Sequence, residues 1–363
     1  MTVQSKRTLK VEKLARIYDD EIGPVWGSRF GKMLLRNLAV PERGQVLDIS
    51  CGTGYPTIEI LRRMSDGSRL IAIDASSAML DVARRKVSEL GPLGKKGVFF
   101  RTESAVPKLS FADDVYDLVV CNLGLGEMPS LEVAVRDFAR VTKRGGEVRC
   151  TLPLAGTFQE FHDLYREVLI KHDKHDALER LERYVARYPS IDHVERVMKS
   201  AHLAGGIEVE EFSLLFKSSR EFFFAPVIEY GPLADWKEIA GGGQEMQDVF
   251  WYIKEAIDAY FDGRPFQVTV KAGCLIGKKH EPAARGHVPV GLPELEPDDR
   301  DAHAGLPSPP RRMPSGSVQV ADPNDLEVEE IAPGSHGDFD IDLGDDELDA
   351  FIEGKKRPSH LGD

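Results

Sequence analysis

Apolar positions in the first 280 residues recur with two alternating periods. Short β-branched and aliphatic runs read as strands at 45–49, 69–73, 97–101, 115–121 and 146–152. Stretches with an apolar residue every three or four positions read as helices at 55–65, 77–90 and 130–142. Lys10 to Leu38 reads as helices interrupted at Gly23-Pro24. Such alternation predicts an α/β architecture, a parallel sheet covered by helices on both faces. After Pro153 the period changes. Phe158, Phe161, Tyr165, Val168 and Leu169 recur at helical spacing, a charged run extends through Arg187, and Ser190 is placed to cap a helix from Ile191 to Leu203 that Gly205-Gly206 would end. Ile207 to Phe216 and Phe266 to Gly277 read as the sixth and seventh strands. Residues 155–189 are therefore expected to form an inserted helical lid. Residues 221–262 are too long for a hairpin and hold ten aromatic side chains, so a second helical cap is expected there.

The sharpest local signal lies where the first strand breaks into Ser50-Cys51-Gly52-Thr53-Gly54, with Asp74 closing the next strand twenty residues after Gly54. Gly52 and Gly54 remove side chains where the backbone must turn and let a ligand approach the main chain, and the following helix start offers free N–H groups. An acid at the tip of the neighbouring strand can accept from both ribose hydroxyls. Together these point to a nucleoside-bearing cofactor. A dinucleotide turn would place a third glycine or alanine where Thr57 stands, and Tyr55 and Pro56 crowd the helix entrance, so a cofactor without phosphates suits the turn better.

Asp48-Ile-Ser50-Cys-Gly52-Thr-Gly54 resembles the D-x-G-x-G-x-G turn of class I S-adenosylmethionine-dependent methyltransferases. The resemblance continues through Asp74 in LIAIDASSAML, Ser110 to Asp117, the run LVVCNLGL and Arg140 to Val148, and is similar to the quinone-biosynthesis, UbiE-like (type 11) branch over residues 15–153. It implies a doubly wound, seven-stranded Rossmann-like sheet with S-adenosyl-L-methionine as cofactor, and a substrate pocket under the lid. Residue by residue it implies that Asp48 serves the turn and the methionine ammonium, Asp74 the ribose, and Met79 the adenine. Glu103 would accept from the adenine amino group, with Ser104 supplying an N–H. Asn122 and Leu123 would stand at the ligand-binding carboxyl edge, and Tyr18 near the cofactor. One departure is Ser50 in place of the turn's first glycine; serine is small, and the position is expected not to require φ above zero.

Charge divides the chain. Residues 281–363 hold 20 acidic and 7 basic side chains, which accounts for the whole formal charge of −13, together with 11 of the 22 prolines and only two aromatics, Phe339 and Phe351. Such a segment buries too little apolar surface to offset its ordering entropy, and a disordered acidic tail is expected after a domain spanning 1–280. Within the tail, 338–353 alternates acids with apolar residues, a composition suited to folding against a protein partner or simply to keeping the chain soluble. The neutral domain and acidic tail argue against nucleic acid as a partner. No stretch is apolar enough for a membrane span or signal peptide, and a cytoplasmic location is expected. Cys51, Cys121, Cys150 and Cys274 lack C-x-x-C spacing and read as reduced core thiols, with no metal site.

Methyl transfer from a sulfonium requires alignment and exclusion of water more than a dedicated catalytic group, so the catalytic residue stays unassigned. His162, in the lid, and Tyr18 are the candidates. His172 and His175 sit among charged neighbours like a solvated helix face. The dense aromatic residues of lid and cap favour a small, hydrophobic, flat acceptor. The expected activity is methyl transfer to such a molecule. The alternative is a methyltransferase-fold regulatory or scaffold protein that recruits a partner through its acidic tail.

Overall fold

The computed structural model describes residues 3–95, 97–261, 263–280 and 329–330. The rest of the 281–363 tail, including 338–353, lies outside the described residues. Helix α1 (Val3–Ile17) runs directly into a π-helical segment, Tyr18–Gly27, and then α2 (Ser28–Leu35). The expected interruption at Gly23-Pro24 is therefore not a break. In the wider π turn the Ser28 amide reaches back five residues to the Gly23 carbonyl, and the proline ring escapes the carbonyl it would strike in an α-helix. Lys86 Nζ holds this segment at 2.6 Å from Asp19 Oδ1.

The alternating core follows as β1 (Gln45–Ile49), α3 (Thr57–Arg63), β2 (Arg69–Asp74), α4 (Ser77–Ser88), β3 (Gly97–Thr102), β4 (Tyr116–Asn122), α5 (Leu131–Val141) and β5 (Thr142–Pro153). Next come α6 (Gln159–Lys171), α7 (His175–Val185), α8 (Ile191–Ser200) and β6 (Leu203–Phe216). Helices α9 (Ser219–Phe224), α10 (Pro226–Glu229), α11 (Leu233–Ala240) and α12 (Gly243–Phe261) then lead to β7 (Phe266–Lys279), and β8 (Glu329–Glu330) pairs with Leu214 and Leu215.

The strands are ordered β3-β2-β1-β4-β5-β7-β6-β8. The first five are parallel, whereas β7 runs antiparallel between β5 and β6, so the sheet is mixed rather than wholly parallel. Phe216 pairs with Phe266, making β6 and β7 the arms of a hairpin whose loop has been replaced by α9 to α12. Those helices must then sit at the carboxyl ends of the parallel strands. Gly205 and Gly206 do not end α8; they lie within β6, where a Cβ on Gly205 would fall 1.9 Å from the Ile276 carbonyl oxygen. Only glycine permits that approach.

Alternating strand residues divide the core. Val46, Leu70, Leu118 and Val120 pack with Leu34, Ile58, Leu61 and Leu80 on one face. Leu47, Ile49, Val119 and Val148 pack with Val135, Phe138, Val194 and Val197 on the other. All four cysteines are buried, and among the described residues no disulfide joins them. A third cluster joins β6 and β7 to the inserted helices around Trp236, which lies 4.1 Å, centroid to centroid, from Phe161 and 5.9 Å from Phe222. The order of strands reverses between β1 and β4, and the crevice outside their carboxyl ends is where open α/β sheets bind ligands.

Candidate active site

Strand register brings the predicted residues level. Ile49 pairs with Ile73 on one side and Cys121 on the other, so Ser50, Asp74 and Asn122 emerge together from three adjacent strands. The Asp74 carboxylate accepts from the Gly52 amide at 2.9 Å and the Ser76 amide at 2.8 Å. It ties the tip of β2 to the glycine turn, while Ser76, not Asp74, caps α4. A carboxylate has further lone pairs open to a ligand. Asp48 is wholly buried beneath the turn; its Oδ2 accepts from Thr57 Oγ1 at 2.5 Å, and among the described residues its Oδ1 has no hydrogen-bond partner. Burial first, and the nearby Asp74 charge, push its pKa up to about 7, against the lowering effect of Thr57. An unsatisfied buried carboxylate oxygen is costly and suits a ligand that brings its own donor, such as an ammonium group. Tyr55 does not plug the turn: its ring packs over Gly31, where a Cβ would lie 2.2 Å from Cε1.

Backbone strain gathers here. Ser50, Leu123 and Phe158 hold φ of 53°, 67° and 57°, the left-handed region that non-glycine residues avoid. Ser50 thus does require a positive φ, contrary to expectation. Its side chain occupies the space left by Gly124, where a Cβ would sit 2.5 Å from Ser50 Cβ, so the glycine missing from the turn is compensated across the strand end. The scaffold alternative is not favoured. Gly52, with φ of 53°, lies beside the Tyr18 ring, and Gly54 makes a close approach to α4, where a Cβ would fall 3.1 Å from Ala83 Cβ.

Next to the turn opens a cavity of about 1250 Å³, above the ~300–1,000 Å³ of a site for one small ligand. Tyr18, Met79 and Leu123 line it, whereas Asp48 and Asp74 are not in its wall. Tyr18 faces both, lining the cavity and standing beside Gly52. Three predicted residues are engaged within the protein. Glu103 accepts from the Ser110 amide at 2.9 Å and pairs with Arg101 at 2.9 Å; Ser104 Oγ accepts from the Val106 amide at 3.1 Å. Asn122 donates to the Gly27 carbonyl at 3.0 Å and accepts from Thr151 Oγ1 at 2.7 Å, which anchors the π-helical segment.

His162 is buried at 0% exposure among Phe158, Phe161, Tyr184, Tyr188 and Trp236 and does not line the cavity. Neither ring nitrogen has a hydrogen-bond partner among the described residues, and burial pushes its pKa down to about 4. Most cap aromatics are likewise core; of the ten between 221 and 262, only Tyr230 reaches the cavity. Sequence reading missed Glu132 and His193, which line the wall 2.8 Å apart. The only local sign was a serine before each at a helix start, and their pairing across 61 positions left no sequence trace. Among the described residues no cluster of three or more side chains is arranged to hold a metal, and no helix is long and apolar enough to cross a membrane.

Residues 46–146, from β1 to the start of β5's paired segment, match the family model described as a methyltransferase domain. Demethylmenaquinone methyltransferase of Halalkalibacterium halodurans is 27% identical over 191 residues, 50% of this chain and 76% of that protein. The enzyme of that name from Staphylococcus aureus is 25% identical over 201 residues, 53% of this chain and 79% of the relative. The solved YcgJ protein of Bacillus subtilis covers 70% of this chain and all of its own at 20% identity, with a TM-score of 0.47, a superposition too loose to assign a function. With the methyltransferase match seated on the segment that holds Asp48, the glycine turn and Asp74, the chain is a class I S-adenosylmethionine-dependent methyltransferase and takes its methyl group from S-adenosyl-L-methionine.

Proposed function

We propose that the methyl acceptor is a small, flat, apolar molecule held in the cavity beside the glycine turn. The observation that carries this reading is the cavity wall itself: Ile22, Trp26, Leu125, Met128 and Phe158 supply an apolar surface, and polar side chains such as Glu132, Arg187, His193 and Asp235 stand among them, a mixture that small-molecule sites use to fix an apolar ligand's orientation. Its volume leaves room for an acceptor beside the cofactor. The two curated relatives are named for a quinone precursor, which is in keeping with an apolar aromatic acceptor.

In this reading Asp48 and Asp74 hold the ammonium and ribose ends of the cofactor, Met79 lies against the adenine, and Leu123 and Tyr18 border the transfer site. The cofactor supplies an activated sulfonium methyl; the protein aligns the acceptor and excludes water, which can contribute ~7–11 kcal/mol. The insertions 155–189 and 221–262 act as lid and cap over the acceptor. To test the acceptor class, the full chain is incubated with cell extract and cofactor carrying a labelled methyl group. Label is expected in organic-soluble small molecules; label confined to protein or nucleic acid would overturn the reading.

A further inference from the structure

The cavity wall carries a side-chain pair, Glu132 and His193, outside the set expected to hold the cofactor. Ser130 and Ser190 cap α5 and α8, accepting from the Val133 amide at 3.3 Å and the His193 amide at 3.2 Å. The two helix starts bring His193 Nε2 to 2.8 Å from Glu132 Oε1, while Glu132 Oε2 accepts from Ser130 Oγ at 2.8 Å. The carboxylate is thus held from both sides. Its own amide, Ser130 and His193 lower the Glu132 pKa to about 2, so it stays ionised and receives the hydrogen on Nε2. Nδ1 then keeps its lone pair, and among the described residues no protein group bonds to it. With side chains 40% and 45% exposed, the pair has a route to water. Arg187, Tyr188 and Asp235 share this wall.

We propose that His193, oriented by Glu132, is the general base for methyl transfer to an aromatic acceptor bearing a hydroxyl group; this rests on the acceptor reading above. As the O–H bond breaks, the proton passes to Nδ1. The oxygen's electron pair forms the bond to the sulfonium methyl carbon, and the C–S pair remains on sulfur, which becomes a neutral thioether. The imidazolium then returns its proton to water. Taking the proton of an aromatic hydroxyl, whose pKa is about 10, is work that a positioned imidazole performs as a general base. Acceptors that present a free lone pair have no use for such a base.

The test uses the full chain with 2-naphthol and cofactor carrying a deuterated methyl group, followed by mass spectrometry. His193→Gln is expected to lower kcat at least ~100-fold, with cofactor affinity by calorimetry within about twofold of wild type and the thermal transition retained. Glu132→Gln, which removes the charge beside the positioned ring, moves the acidic limb of the pH–rate profile downward. In ¹⁵N NMR the His193 Nδ1 resonance should move on addition of 2-naphthol and not of 2-methoxynaphthalene. Turnover in His193→Gln within about threefold of wild type, or an Nδ1 resonance indifferent to 2-naphthol, overturns the assignment. If wild type leaves 2-naphthol unmethylated yet labels apolar small molecules in extract, the hydroxyl class is wrong and the acceptor reading stands. Label found only in macromolecules sinks both.

Discussion

At the residue scale, the site is built from groups that are unfavourable on their own. Ser50 and Leu123 hold left-handed backbone and Asp48 leaves a buried oxygen unpaired, the pattern expected where stability is given up for ligand binding. Asp48 makes this measurable. A carboxyl with a folded pKa of about 7, against about 3.9 unfolded, holds its proton more tightly when folded. Its stabilisation is complete below pH ~4 and is lost as pH rises through ~7, by up to about 4 kcal/mol. Urea unfolding between pH 5 and 8.5 should therefore show wild type losing stability relative to Asp48→Asn as pH rises. Parallel curves would mean that the carboxyl titrates normally. The meeting of Gly52 and Asp74 at the turn could be read from spacing, because one strand, one turn and the next strand tip are local. Ser50's conformation could not be, because the space that admits its side chain belongs to Gly124, 74 positions away.

At the element scale, the inserted helices are held by an aromatic core, and His162 of α6 is part of it rather than of the cavity. Its linkage has the opposite sign to that of Asp48. A histidine with a folded pKa near 4 and an unfolded value of about 6.5 contributes fully above pH ~6.5. That contribution is lost as pH falls toward 4, by about 3 kcal/mol. His162→Phe should remove this acid sensitivity while leaving methyl transfer at neutral pH within a few-fold of wild type. A collapse of turnover with the fold intact would place the imidazole in the chemistry. Helix spacing in 158–169 was legible from the sequence. The direction in which His162 points was not, since it depends on the packing of α7 and α11 against α6.

At the scale of the whole molecule, the cofactor-binding strands, the cavity and the inserted helices all fall before residue 281. A chain ending at residue 280 is expected to bind S-adenosyl-L-methionine with a Kd within about twofold of the full chain, by calorimetry. A tenfold weaker Kd would show that 281–363 takes part in the site. The excess acid lies wholly beyond that position.

What the sequence determined alone is whatever neighbouring residues enforce: the alternation of strand and helix, the turn after β1 with its acids, and the class of cofactor such a turn admits. What only the tertiary structure decided depends on residues distant along the chain. The antiparallel course of β7 follows from pairing with β5 and β6. The π-helical passage through Pro24 is secured by Asn122 and Lys86. The meeting of Glu132 with His193 arises from two helices packed side by side, and side-chain periodicity says which face is buried but not which partner covers it.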